Sequence, residues 1–128
     1  MKYLLDTHAF IWMASSPEKL SPKVRDTILN ESNKLWVSTA SLWEMQVKCG
    51  LGKLTLEVPL KQLWEEAGTA NDIARLDIQT SHIWQVKSLP QIHKDPFDRM
   101  LVCQAQCEDL ILITRDGYIK EYNVTVLW

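Results

Sequence analysis

Four acidic residues stand where their carboxylates can do joint chemistry. Asp6 directly follows the short apolar run Tyr3-Leu4-Leu5, and Asp116 lies two residues after the run Leu110 to Thr114, LILIT. If both runs are parallel strands, both acids face the sheet edge beyond the strands' carboxyl ends, where ligands bind. Glu44 shares a helical stripe with Ala40 and Val47, beside Trp43, and Asp98 shares one with Leu101, Val102 and Ala105. A carboxylate on a core-facing stripe needs compensation, because an unpaired buried charge is costly. Metal coordination supplies it. Oxygen-only clusters suit hard cations such as Mg²⁺ or Mn²⁺, which activate water and stabilise the leaving oxygen in phosphodiester hydrolysis. The placement of the four acids alone therefore points to a nuclease.

Each acid also has an ordinary structural explanation. An aspartate that ends a strand is a common turn or cap residue. Asp95-Pro96-Phe97-Asp98 reads as an N-cap, a proline at the first helical position and an acid in the first turn, where the helix dipole favours it. Asp98 has Arg99 and Arg115 as candidate partners, and Glu44 has Lys48 at i+4. The joint placement, more than any one residue, favours a shared pocket.

The elements that must position these acids alternate along the chain. Tyr3 to Leu5 reads as a buried strand, followed by a helix from Thr7 to Ala14. Ser21-Pro22 opens a helix to about Asn30, and Lys34 to Ser38 is a second strand. A helix from Ala40 to Lys48 stops near Gly50, a suitable C-cap; residues 53–58 read as an extended linker, and a helix runs from Pro59 to Gly68. Ile73 to Ile78 is a candidate strand, Thr80 to Ser88 a helix, and Pro90 begins a loop ending at Asp95-Pro96. A strong helix to Glu108 then precedes the LILIT strand, a helical turn near Tyr118 and an extended end from Val124 to Leu127. Short strands alternating with helices imply an α/β protein whose parallel sheet is covered on both faces.

With 128 residues, of which 46% are hydrophobic and 23% charged, the chain reads as a single folded domain over residues 1–128. A net charge of −2 means that any nucleic-acid partner is engaged through a local patch rather than bulk charge. Three cysteines, Cys49, Cys103 and Cys107, without a paired CxxC spacing, fit free thiols in a reducing compartment. Asp6 and His8 interrupt the apolar N-terminus, which does not read as a signal peptide, and no run is long enough for a membrane span. The expectation is a cytoplasmic protein. Of the six tryptophans, Trp12, Trp43, Trp64 and Trp84 fit apolar helix stripes and are expected in the core, with Trp12 or Trp36 as alternatives for a self-association surface. His8 and His82 read as packing or surface residues.

The segments LLDTHAFIW at 4–12, STASLWEM at 38–45, HKDPFDRMLVCQAQ at 93–106 and LITRDGYIKEYNVTVLW at 112–128 together make the chain resemble the PIN-domain ribonucleases, most closely the VapC-type toxins of prokaryotic toxin–antitoxin systems. The resemblance implies a three-layer α/β/α fold with a central parallel sheet, and a Mg²⁺- or Mn²⁺-dependent pocket that cuts RNA. It assigns Asp6, Glu44, Asp98 and Asp116 as catalytic acids, with Asp6 and Asp98 as direct metal ligands. Asp116 is also expected to help position the nucleophile. Asp95 is expected mainly as a helix N-cap. Thr7, Ser38 and Thr114 match hydroxyl positions lining such a pocket, with capping of strand ends as their alternative role. Lys48, His93, Lys94, Arg99 and Arg115 flank the acids and are candidates to meet the RNA backbone, the alternative being a solvated surface or neutralisation of the acids. A homodimer and a cognate antitoxin that obstructs the pocket are also implied.

Two other Mg²⁺-binding classes lack their residues here. A phosphoacceptor receiver domain needs adjacent acids at the first strand and a lysine after a late strand, and a haloacid-dehalogenase-type phosphohydrolase needs D-x-D where this chain has Asp6-Thr7-His8. The remaining alternative is a catalytically silent PIN-like domain that serves as a binding scaffold.

Overall fold

The computed structural model describes residues 1–70 and 72–128. Five parallel strands form one sheet: β1 (Lys2–Leu5), β2 (Lys34–Ser38), β3 (Ala74–Leu76), β4 (Ile111–Ile113) and β5 (Val126–Leu127), in the order β3-β2-β1-β4-β5. The helices are α1 (Thr7–Ser15), α2 (Pro22–Leu29), α3 (Thr39–Gly50), α4 (Leu60–Ala70), α5 (Thr80–Val86) and α6 (Pro96–Glu108). From β1 the chain winds outward through β2 to β3, then returns to the other side of β1 for β4 and β5. The winding direction thus reverses between β1 and β4, and a crevice opens beyond the carboxyl ends of those two strands.

Strand alternation divides the core into two layers. Tyr3, Leu5, Leu35, Val37 and Ile113 point to one face and pack with Phe10 of α1, Val24 of α2, Met45 of α3 and Leu63 of α4. Leu4 and Leu112 point to the other and pack with Leu101 and Val102 of α6, Leu89 and Ile119. Both faces of the central strands are therefore dry, which explains why YLL and LILI read as continuous apolar runs.

Helix starts follow the caps visible in the sequence. The side chains of Asp6, Ser21, Ser38 and Asp95 accept from the backbone N–H groups of Ala9, Val24, Ala40 and Phe97. The stop of α3 differs from expectation. Gly50 closes the helix, and the left-handed residue is Gly52 (φ 72°), whose N–H reaches the Cys49 carbonyl while Lys53 N–H reaches that of Lys48. This paired closure requires positive φ at Gly52 rather than at Gly50. The third strand is shorter than expected, Ala74–Leu76 instead of Ile73 to Ile78, because only these residues find partners on β2. Trp43 and Trp84 are 60% and 73% exposed, against the core placement expected for them. Among the described residues, no helix is long and apolar enough to cross a membrane.

Leu112 is fully buried on β4 between β1 and β5, so Leu112→Ala leaves a cavity where both neighbours are fixed. It is expected to cost about 3 kcal/mol in urea unfolding, whereas Leu29→Ala, at a position 78% exposed, is expected to stay within about 0.5 kcal/mol.

Candidate active site

The crevice at the end of β1 is where the acids meet. Asp6 leaves β1 with its own N–H bonded to the Ile113 carbonyl of β4 at 3.0 Å, which extends the β1–β4 pairing by one residue. Its side chain, only 6% exposed, accepts from Ala9 N–H at 2.8 Å. One residue on, the Thr7 hydroxyl donates to Glu44 Oε1 at 2.6 Å and lies 2.9 Å from Ser41 Oγ. The other Glu44 oxygen takes Lys48 Nζ at 2.5 Å. Glu44 is 2% exposed, yet Trp43 and Val47 beside it face solvent; the buried side of α3 consists of Ala40, Ser41, Glu44 and Met45. The stripe that singled out Glu44 therefore held some of the wrong neighbours.

Asp98 enters from the first turn of α6, where Asp95 caps the helix at Phe97 N–H (2.8 Å) and Asp98 N–H (3.4 Å). It pairs with neither Arg99 nor Arg115. Its partner is His93, whose Nε2 lies 3.2 Å from Asp98 Oδ2 and 2.8 Å from Asp116 Oδ2. The Asp95 N–H donates to His93 Nδ1 at 3.0 Å, so in the neutral ring Nε2 carries the proton and donates to the two carboxylates. His93 Nε2 and one oxygen each of Asp98 and Asp116 all lie within 4.8 Å of one another. On the far side Thr114 Oγ1 accepts from Asp116 N–H at 3.1 Å, and Asp116 Oδ1 accepts from Tyr118 N–H at 2.8 Å.

Charge is crowded here. Burial pushes the Asp98 carboxyl up, the Asp95, Glu44 and Asp6 carboxylates push it further, and it reaches about 7 although His93 pulls the other way. Burial also raises Asp6 above the usual aspartate range, against the Thr114 hydroxyl and the Ala9 N–H, with Glu44 adding to the rise. At Asp116 burial is outweighed by the hydrogen bonds from His93 and the backbone N–H groups of Tyr118 and Ile119, so its pKa is lowered. The hydrogen bond to Glu44 holds the Lys48 ammonium above its ordinary value.

The four predicted acids thus divide into a buried pair, Asp6 and Glu44, and a half-buried pair, Asp98 and Asp116 at the rim, the latter two joined through His93 with Asp95 beside them. Thr7 binds Glu44, Thr114 steadies Asp116, and Ser38 caps α3 through Ala40 N–H. Lys94 and Arg115 are exposed. Arg99 was expected as an RNA contact, but it is 9% exposed and donates to the carbonyls of Pro90 and Val86 and to Tyr122 Oη, so it braces the loop before α6 from inside. His82 is buried against Glu108 and Gln79 N–H, a packing role as expected. Two roles escaped the sequence reading: Ser41 beside Thr7, and His93 as the bridge between Asp98 and Asp116. Only the position of His93 two residues ahead of the α6 cap hinted at the second.

A parallel sheet of this order opens a ligand-binding crevice at its reversal point, and here that crevice is lined by acids. The chain belongs to the PIN domain family, whose model matches residues 3–124. No curated protein matches the sequence significantly. The fold is similar to that of VapBC2 from Rickettsia felis, solved with a promoter DNA fragment (TM-score 0.76, 15% identity, 99% of this chain and 98% of that one). It also resembles DNA-bound VapBC from Salmonella typhimurium (0.70, 19%, 99% and 97%) and FitAcB from Neisseria gonorrhoeae (0.58, 21%, 100% and 97%).

The raised Asp98 has a thermodynamic signature. Without divalent cations, the folded chain keeps a proton that the unfolded chain gives up as pH rises from 3.8 to about 7. The contribution of Asp98 to stability is therefore greatest in acid, falls across that window and levels above it; Asp6 acts in the same direction and Asp116 against it. In chelator, Asp98→Asn is expected to flatten the slope and raise stability above neutral pH by about 2 kcal/mol, measured by urea unfolding across pH.

Proposed function

We infer that this protein is a metal-dependent endoribonuclease, the toxin of a toxin–antitoxin pair, acting on RNA in the cytoplasm. The observation that carries this reading is the gathering of carboxylates at the crevice: ligand atoms of Asp98, Asp116 and His93 lie within 4.8 Å of one another, and Asp95, Glu44 and Asp6 are near enough to add to the burial that lifts the Asp98 pKa to about 7. Lys48 is bonded into it through Glu44, and His93 bridges Asp98 and Asp116 through Nε2. An excess of hard oxygen donors suits Mg²⁺ or Mn²⁺. Asp6 and Asp98 are the residues to hold the ion directly, with Glu44 and Asp116 ligating directly or through water. The bound cation supplies an activated water and neutralises charge on the phosphodiester.

The chain's own groups prepare that chemistry. Thr7 and Lys48 fix both oxygens of Glu44, so its carboxylate cannot turn away from the crevice. His93 and two backbone N–H groups keep Asp116 ionised at the rim, where it can orient the attacking water. Lys94 and Arg115 are the exposed cations flanking the acids and are suited to backbone phosphates. The likeness in fold to toxin–antitoxin complexes supports an antitoxin partner, and a homodimer is part of the same proposal. The exposed apolar residues Trp43, Leu51, Ile83 and Trp84 are suited to such contacts.

The test is cleavage of labelled total RNA. Products are expected with Mg²⁺ or Mn²⁺ and not in EDTA, and Asp98→Asn, which spares the helix cap, is expected to lower the rate about 100-fold or more. Identical products from wild type and variant would overturn the nuclease reading and leave the silent scaffold.

A further inference from the structure

By proximity alone, His93, Asp98 and Asp116 resemble a three-residue cation site, because a ligand atom of each lies within 4.8 Å of the others. The hydrogen bonds around the imidazole give it a different part. An imidazole binds a metal through a nitrogen that bears no proton, and the partner of the other nitrogen decides which one that is. To ligate through Nε2, His93 has to carry its proton on Nδ1. Asp95 N–H already donates to Nδ1 at 3.0 Å. A proton on Nδ1 would set two donors face to face and leave the Asp95 N–H unpaired. The ring is also confined. His93 N–H donates to Tyr122 Oη at 2.7 Å, the Arg99 guanidinium bonds the same hydroxyl at 3.2 Å, and Tyr118 packs edge-on against the imidazole, centroids 5.8 Å apart. Nε2–H is therefore held toward Asp116 Oδ2 at 2.8 Å and Asp98 Oδ2 at 3.2 Å.

The consequence differs for the two acids. Asp116 has Oδ2 taken by His93 and Oδ1 by Tyr118 N–H at 2.8 Å, so both its oxygens are engaged. Asp98 gives Oδ2 to His93 and keeps Oδ1. We propose that His93 is a positioning residue of this site and not a ligand: its Nε2–H orients Asp98 so that Oδ1 is left for the cation, and it holds Asp116 one step back, where that acid meets the cation only through water. Outer donors that fix a ligating carboxylate in this way set both its direction and its affinity. The proposal rests on the nuclease reading for the presence of a cation and narrows it. The direct ligands are then oxygens alone, a set that suits Mg²⁺ or Mn²⁺ and not the softer metals that an imidazole would invite.

The experiment reads the imidazole directly, with and without metal. Long-range ¹H–¹⁵N spectra of the full chain in EDTA, slightly above neutral pH, report which ring nitrogen is protonated, and the His93 signal is assigned by its loss in His93→Gln. A protonated Nε2 and a bare Nδ1 are expected. A bare Nε2, or protons on both nitrogens, would overturn the assignment. Pulsed EPR of the Mn²⁺-loaded chain is expected to show no directly bound nitrogen; a nitrogen coupling that disappears in His93→Ala would make the residue a ligand and overturn the proposal. His93→Ala is expected to weaken Mn²⁺ binding about tenfold. His93→Gln, whose amide N–H donates from a similar reach, is expected to recover most of that loss. Mn²⁺ binding by His93→Ala as tight as wild type would reduce His93 to packing. The two readings fail separately. Without metal-dependent cleavage the nuclease reading falls while the metal-free spectrum still decides the donor; cleavage together with a nitrogen coupled to Mn²⁺ removes the donor alone.

Discussion

A carboxylate taken out of water costs several kcal/mol unless donors or countercharges replace its hydration, and this fold buries two of them, Asp6 and Glu44, and half-buries a third, Asp98, around the end of its central strand. Asp6 is held there by the most rigid part of the molecule. Its backbone N–H completes the β1–β4 pairing, and its side chain starts α1. The acid cannot relax toward solvent without breaking either the sheet or the helix start. Glu44 is confined by Thr7 and Lys48, and Asp98 by the first turn of α6. What remains is a cost of burial, and of repulsion behind it, that the protein's own cations leave partly uncompensated, and the elevated Asp98 pKa reports both.

The surrounding architecture follows from keeping those groups close. The reversal of winding between β1 and β4 brings residue 6 and residues 114–116 side by side although more than a hundred positions separate them. The crossover that reaches β4 delivers α6, and with it Asp95 and Asp98, to the same end of the sheet. His93 and Arg99 then secure the loop before that helix in different ways. His93 links Asp98 to Asp116 at the rim, whereas Arg99 ties the carbonyls of Val86 and Pro90 to Tyr122 from beneath.

Much of this was legible in the chain itself, because local signals carried it. The strands announced themselves as short apolar runs, since both faces of the sheet are covered. Ser21-Pro22 and Asp95-Pro96 marked helix starts through capping chemistry that acts within three residues. The second strand matched the expected Lys34 to Ser38 to the residue. The same locality explains the errors. Gly50 was a plausible cap until the closure of α3 onto Cys49 and Lys48 selected Gly52, and helical periodicity cannot tell whether the face carrying Trp43 meets a neighbour or water.

The sequence by itself therefore determined the element types and the alternation that makes this an α/β protein, and it singled out four acids as candidates, because those depend on residue type and short spacing. Only the tertiary structure decided which groups touch. The turning inward of Arg99, the bridge from His93 to Asp98 and Asp116 and the clasp of Thr7 on Glu44 all join residues from different elements. The geometry of those contacts is set by how helices pack across a twisted sheet, and no short window of sequence contains that information.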